Sequence, residues 1–363
     1  MTHRGNDFVP DLRLIAWEVT RSCNLACKHC RAEAHLDPYP GELNTTEAKQ
    51  LIDTFPETGN PIIIFTGGEP LLRNDVFELV RHAKSHGLRC VMAPNGTLIT
   101  PENAREMIDS GIERVSISID GPDSASHDAF RGTPGAFEQA MQGIEYLKAA
   151  GVEFQINTTV TRNNMGQFTD IFQLAQKLGA VAWHIFLLVP TGRAADLQEE
   201  IITAAEYESV LNWFYDFRKT TNMQLKATCA PHYHRILRQR AKEEGVEVNF
   251  NNFGLDAVSR GCLGGIGFCF ISHTGQVQPC GYLELDCGQT TQTPFPEIWA
   301  NSPQFRNLRD PKAYTGKCGV CEYHKVCGGC RARAATMRSD YLAEEPLCTY
   351  TPKRLREPTA SET

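Results

Sequence analysis

The chain has 363 residues, 41% hydrophobic and 22% charged, with a formal net charge of −7 at pH 7. That composition suits a soluble globular protein of one large domain or two smaller ones. An acidic balance without a long basic run speaks against nucleic acid or membrane surface as the main partner, and no stretch is long and apolar enough for a transmembrane helix. The opening residues, Met1–Asp7, show no apolar h-region, so a cytoplasmic location is expected. Without an export signal, the 14 cysteines point to metal binding rather than disulfides.

From Leu12 to about Val189, strand-like and helix-like segments alternate. Short apolar runs predict strands at Arg13–Glu18, Pro61–Phe65, Arg89–Ala93, Arg114–Ile119, Glu153–Thr158 and Ala182–Leu188. Between them, Asn44 with Glu47 has the spacing of a capping box. Val76, Leu79, Val80 and Ala83 share one helical face. Thr100-Pro101 reads as an N-cap followed by proline at the first helical position. Phe137, Ala140, Met141, Ile144 and Leu147 form a further apolar stripe. Six βα units imply a parallel sheet with its site at the C-terminal strand ends.

The loops at those ends carry the chemistry. After the first strand comes Cys23-Asn-Leu-Ala-Cys27-Lys-His-Cys30, a C-x3-C-x2-C run. A four-iron cluster held by three thiolates keeps one iron open to a small molecule, whereas electron-transfer clusters usually have four. A zinc knuckle lacking one ligand is the alternative. After the second strand comes Thr66-Gly67-Gly68-Glu69-Pro70. Its glycines allow close backbone approach and Glu69 offers a carboxylate to a cation. Alone it is only a turn signal. Asn95-Gly96, Ser118, Asp120, Asn157 and Val189-Pro190 occupy the other strand ends, where turn chemistry also accounts for some of them.

Past Gly192 the pattern changes. Ala204–Arg218 reads as a helix. Thr228-Cys229-Ala230-Pro231-His232-Tyr233-His234-Arg235 follows, then the basic helical stretch Ile236–Glu244. From about Gly261 the chain is rich in cysteine and glycine and needs metal staples to hold so small a core. It contains Cys262, Cys269, Cys280 and Cys287, then Cys318-x2-Cys321-x5-Cys327-x2-Cys330, then Cys348. A zinc ribbon is the alternative for the paired C-x2-C units. Cys90, in an apolar strand, reads as a core thiol, and Cys287 is left over. The polar run Lys353–Thr363 is expected to fray.

The cysteine triplet and the glycine-rich turn together resemble the radical S-adenosylmethionine (SAM) enzymes. The resemblance implies an open, TIM-like (β/α)6 barrel. It implies that Cys23, Cys27 and Cys30 bind the SAM-cleaving cluster, with His29 as the usual aromatic residue before the third cysteine. Gly67, Gly68 and Glu69 are then expected to hold the methionine ammonium. Asn95, Ser118, Asp120, Asn157 and Val189 are expected to contact the ribose, carboxylate and adenine. The C-terminal field resembles the SPASM domain, which carries auxiliary four-iron clusters. By that likeness Cys262, Cys269, Cys280 and Cys330 bind a nearer cluster, and Cys318, Cys321, Cys327 and Cys348 an outer one, for three [4Fe-4S] clusters in all. Two departures stand out: the gap from Cys327 to Cys330 is one residue short, and that from Cys262 to Cys280 is slightly long. The expected organisation is a barrel over 1–200, linking helices and a substrate segment over 201–255, a SPASM domain over 256–350 and a polar tail over 351–363.

Among SPASM enzymes, peptide maturases and tetrapyrrole enzymes compete. A barrel starting near Leu12 leaves no space for an N-terminal peptide-binding module. The chain resembles the tetrapyrrole-acting enzymes of the siroheme-dependent heme pathway at Trp17-Glu18-Val19-Thr20-Arg21-Ser22-Cys23, over Thr228–Arg240, over Gly261–Gly281 and at Cys327-Gly-Gly-Cys330-Arg-Ala-Arg333. That likeness implies oxidative decarboxylation of two propionates of iron-coproporphyrin III to vinyl groups, giving heme b. Deacetylation of didecarboxysiroheme and heme d1 biosynthesis are the sister alternatives. An auxiliary cluster is the implied electron acceptor, and a flavodoxin or ferredoxin the expected donor, in an anaerobic host. Substrate carboxylates call for Arg, Lys or Tyr partners, so Arg193, Arg235, Arg238 and Arg240 are candidates. Cys229, His232, Tyr233, His234 and Arg235 are expected to line the tetrapyrrole pocket at the domain junction. His232 or His234 is expected to approach the porphyrin iron, since neutral imidazole is a common axial ligand, with Cys229 as the other option.

Overall fold

The computed structural model describes residues 9–356. The Met1–Asp7 segment and the end of the polar tail, 357–363, lie outside the described residues. The predicted strands form as β1 (Leu14–Thr20), β2 (Ile62–Gly67), β3 (Arg89–Met92), β4 (Ile112–Ser118), β5 (Phe154–Val160) and β6 (Ala182–Leu187). They pair in parallel and in sequence. In β1 and β2 the register sets Ile15 against Ile63, and Ile63 faces Cys90 of β3. All three are fully buried, so Cys90 is a core thiol.

Between the strands run α1 (Thr45–Thr54), α2 (Val76–Ser85), α3 (Pro101–Ser110), α4 (Ser124–Arg131), α5 (Ala136–Ala150) and α6 (Phe168–Leu178). The Asn44–Glu47 capping box forms, and Thr100 caps α3 ahead of Pro101. Helices α7 (Ala204–Phe217) and α8 (Tyr233–Glu243) follow the sixth unit.

The sheet does not stop at six strands. Gln224–Thr228 forms β7 against β6, in parallel. Its alternation of polar and apolar residues is too short and too charged to announce a strand. From the C-terminal region, β8 (Phe268–Ile271) pairs in parallel with β1, and β9 (Gln276–Gln278) and β10 (Gly288–Gln289) extend the edge. The order is β10-β9-β8-β1-β2-β3-β4-β5-β6-β7. Both edges of the six-stranded core are thus covered by later parts of the chain, so the unpaired ladder groups fall on the short strands β7 and β10 instead. The barrel and the cysteine-rich region share one sheet, and the segment 201–255 contributes a strand rather than only linking helices.

A candidate radical and iron–sulfur site

One cavity of about 1420 Å³ runs from the barrel interior to the cysteine-rich region. Ordinary ligand pockets span about 300–1,000 Å³. Cys23, Cys27, Cys30 and His29 line it, with Gly67, Gly68, Asn95, Ser118 and Asn157 from the strand ends. At the far end it is lined by Cys229, His234, Cys262, Cys280 and Cys330.

The triplet loop is held by nitrogen donors to sulfur. Leu25 N–H lies 3.4 Å from Cys23 Sγ, Ala34 N–H 3.5 Å from Cys30 Sγ, and an Arg131 Nη 3.6 Å from Cys27 Sγ. Such donors favour thiolates and tune a cluster they hold. Burial pushes the Cys23 thiol up to about 12, against the Leu25 N–H that favours its thiolate. The His29 ring stacks on Phe130 at 4.1 Å, and its buried Nδ1 has no partner. Burial holds that imidazole well below its usual pKa, and so neutral.

Gly67 and Gly68 have a double duty. A side chain at Gly67 would collide with the Thr20 carbonyl, and one at Gly68 with the carbonyls of Arg21 and Ser22. In exchange Gly68 N–H donates to Thr20 O at 2.9 Å and Glu69 N–H to Ser22 O at 2.8 Å. The motif therefore knits β2 to the cysteine loop.

Glu69 differs from the expectation. Its carboxylate is fully buried and accepts from Asn95 N–H at 2.6 Å and Leu71 N–H at 3.1 Å, behind the cavity wall. Burial raises its pKa to about 7. It fixes the third strand-end loop instead of presenting a free charge. The Asn95 side chain in turn donates to Asn24 Oδ1, next to Cys23.

Asp120 and Val189 also lie off the cavity. Asp120 pairs with Arg131 at 2.5 Å, so it positions the guanidinium that reaches Cys27. Val189 is buried between the barrel and the helix Arg331–Arg338, beside Cys330 and Ala332.

The substrate segment divides. Cys229 and His234 line the large cavity. His234 Nδ1 is buried without a partner, and burial lowers its pKa to about 4. His232 instead faces a second, small cavity lined by Cys318, Cys321, Cys327 and Cys348, the four thiols expected at the outer cluster. Tyr233 is fully buried against Phe214.

The four expected arginines are spoken for. Arg235 pairs with Glu208 at 2.8 Å. Arg193 donates to the carbonyls of Cys27 and Ala34, bracing the cysteine loop. Arg238 bonds the carbonyls of His234 and Ala257, and Arg240 pairs with Asp216. Their chemistry suits substrate carboxylates, but neighbouring carboxylates and carbonyls of the protein claim them.

The cations facing the cavity are others. Arg260 lines it with Nε and one Nη buried and unpartnered. Lys226 of β7 lines it too, its pKa lowered by burial, with Asp256 the compensating charge. Arg31 lies 4.3 Å over the Phe270 ring and pairs with buried Glu18 at 2.9 Å. Glu18 also binds Arg21 and His273, so it ties β1, the cysteine loop and the C-terminal region together. Burial raises the Glu18 carboxyl, but Arg31, the His273 hydrogen bond and Arg21 outweigh it and hold it at about 2. A Trp-Glu pair on a strand gives no sign of this role.

Cys269 departs from its expected place. On β8, Phe268 and Phe270 line the cavity. Side chains alternate along a strand, so Cys269 points the other way. It is fully buried in the main core, with Cys287 as its thiol neighbour. Zinc fits the cysteines poorly. Thiolates on one zinc stand ~3.8 Å apart, yet among the described residues no three cysteines lie within 4.8 Å of one another.

Comparison with known proteins matches both parts of the chain to known families. The radical SAM superfamily profile matches residues 17–175, and that of an iron-sulfur cluster-binding domain, SPASM, matches residues 262–331. The chain is 73% identical to the AdoMet-dependent heme synthase of Nitratidesulfovibrio vulgaris, covering 96% of this chain and 95% of that one. It is 30% identical to the Fe-coproporphyrin III synthase of Methanosarcina barkeri, covering 94% and 89%. Among solved structures, anSMEcpe with bound AdoMet and a Cp18Cys peptide superposes with a TM-score of 0.68 over 92% of this chain and 93% of that one, at 20% identity.

Proposed function

The chain belongs to the radical SAM superfamily, in its SPASM-bearing branch, and from that premise we propose that it converts iron-coproporphyrin III to heme b by oxidative decarboxylation of two propionates. At the coarser level it is a radical SAM enzyme of heme biosynthesis that uses SAM and iron–sulfur clusters. The observation that carries the finer reading is the large cavity with Arg260, Lys226 and His234 on its walls. It has volume for SAM and a second bulky ligand. It also supplies cations for carboxylates and a neutral imidazole for iron.

When bound, SAM and its cluster would supply radical chemistry for removing a hydrogen atom from the propionate β-carbon, and an auxiliary cluster would accept the electron left when carbon dioxide departs. The protein's own residues do the rest. Cys23, Cys27 and Cys30 would hold the SAM-cleaving cluster, three thiolates being one short of a full set. Gly67, Gly68 and Asn95 shape the SAM side of the cavity, with Ser118 and Asn157 further along the rim. Arg260 and Lys226 bind propionate carboxylates and orient the macrocycle. His234, whose buried Nδ1 has no partner in the protein, would offer its neutral imidazole to the porphyrin iron. Cys318, Cys321, Cys327 and Cys348 hold an outer cluster, for three clusters in all.

Anaerobic incubation with iron-coproporphyrin III, SAM and a reductant tests this. Mass analysis of the pigment should show both propionates replaced by vinyls. An unchanged pigment, together with acetate loss from didecarboxysiroheme, would assign the chain to the sister reaction.

A further inference from the structure

Four thiols line the far end of the large cavity, and they are not the four that the SPASM likeness implies. Cys229, Cys262, Cys280 and Cys330 all line it. Cys330, Cys280 and Cys262 are the thiol neighbours of Cys229. Cys229, Cys280 and Cys330 also pack into one small cluster of side chains, apart from the main core that contains Cys269.

The backbone at Cys229 is built to hold this position. Its φ is 55°, in the left-handed region that non-glycine residues rarely occupy. Its carbonyl is clamped from two sides, by Tyr207 Oη at 2.9 Å and an Arg333 Nη at 3.2 Å. Arg333 stands one helical turn beyond Cys330 and pairs with buried Glu345, which accepts Cys330 N–H at 2.6 Å. One network therefore fixes Cys229 relative to Cys330. On the other side, a Cβ at Gly261 would lie 2.5 Å from Pro231 Cα, so a glycine beside Cys262 admits the 229–231 turn. Cys262 N–H donates to Cys327 O, which sets it beside the same loop. Tyr282 N–H points at Cys280 Sγ from 3.5 Å, as the donors to the triplet sulfurs do.

We infer that Cys229, from the end of the barrel sheet, is the fourth ligand of the nearer auxiliary cluster, together with Cys262, Cys280 and Cys330, and that Cys269 is a core thiol. The inference rests on the family's iron–sulfur chemistry and not on the identity of the porphyrin. A cluster with four thiolates has no open iron, which suits electron transfer rather than direct ligation of substrate. It also makes this cluster a clasp between the barrel and the C-terminal region, since one ligand comes from the barrel side of the junction and three from the other.

The test uses the full chain prepared anaerobically, with iron and sulfide analysis and EPR of the reduced protein. The SAM-induced shift of the triplet cluster's signal reports that the fold is intact. Cys229→Ala should lose iron equivalent to one cluster, or retain a cluster with one exchangeable iron that couples to added ¹³C-cyanide. Cys229→Ser should keep the iron with shifted g-values. Cys269→Ala should match wild type in iron and spectrum. Wild-type iron and g-values in both Cys229 variants, or loss of a cluster in Cys269→Ala, would overturn the assignment. No porphyrin enters the measurement, so failure of the decarboxylation reading leaves this result unchanged.

Discussion

Single side chains decide which charges the site can use. Arg193, Arg235, Arg238 and Arg240 carry the right chemistry for propionates but are already bonded within the protein. Arg260 and Lys226 are among the cations lining the cavity that no carboxylate pairs within hydrogen-bond distance. Arg260→Ala and Lys226→Ala should each weaken iron-coproporphyrin III binding about 10- to 100-fold, the worth of one charge-assisted contact. Absorbance titration measures it, with SAM affinity unchanged as the control. Glu18 sets a pH limit. Its folded pKa of about 2 lies below the ordinary 4.5, so its ionised form is favoured by folding. That stabilisation is present above about pH 4.5 and lost as pH falls toward 2. It amounts to about 3 kcal/mol. The stability gap between wild type and Glu18→Gln, read by denaturant unfolding, should narrow between pH 5 and pH 3.

At the scale of elements, the strand ends behave as a set of stapled loops. Six strands and their helices were legible because apolar runs and caps announce themselves locally. The motif glycines were legible as special, but their reason was not. They accommodate the Thr20–Ser22 backbone, a contact between segments some 45 residues apart, as well as bordering the cavity. Gly68→Ala should therefore disturb the cysteine loop first. A cost of ~3 kcal/mol is expected from the forced overlap. The triplet cluster's EPR signal and SAM-induced shift should weaken while the auxiliary signals persist. Equal loss of all cluster signals would instead mean general unfolding. β7 is not legible in the sequence because its polar–apolar alternation runs over only five residues with a lysine at the centre. It is a strand because β6 offers it an open edge.

For the whole molecule, the junction between barrel and cysteine-rich region is the unit that matters. Arg333 is fully buried there, bonding the carbonyls of Leu187, Leu188 and Cys229 and pairing with Glu345. Arg333→Met would leave the Glu345 carboxylate buried without its partner. A loss of about 3–5 kcal/mol is expected, seen as a lower thermal midpoint and a labile nearer cluster. By itself the sequence determined the βα alternation, the three-cysteine site with its glycine-rich partner, and a metal-stapled C-terminal region. Each of these is encoded by neighbours along the chain: spacing, caps and short motifs. Only the tertiary structure decided that β8 completes the barrel sheet, that Asp120 acts through Arg131, and which arginines stay free. It also turned Cys269 into the core and brought Cys229 to Cys262, Cys280 and Cys330. Pairing of charges and the facing of thiols depend on strand register and on which segments meet across the junction. A spacing rule carries no information about contacts made between residues a hundred positions apart.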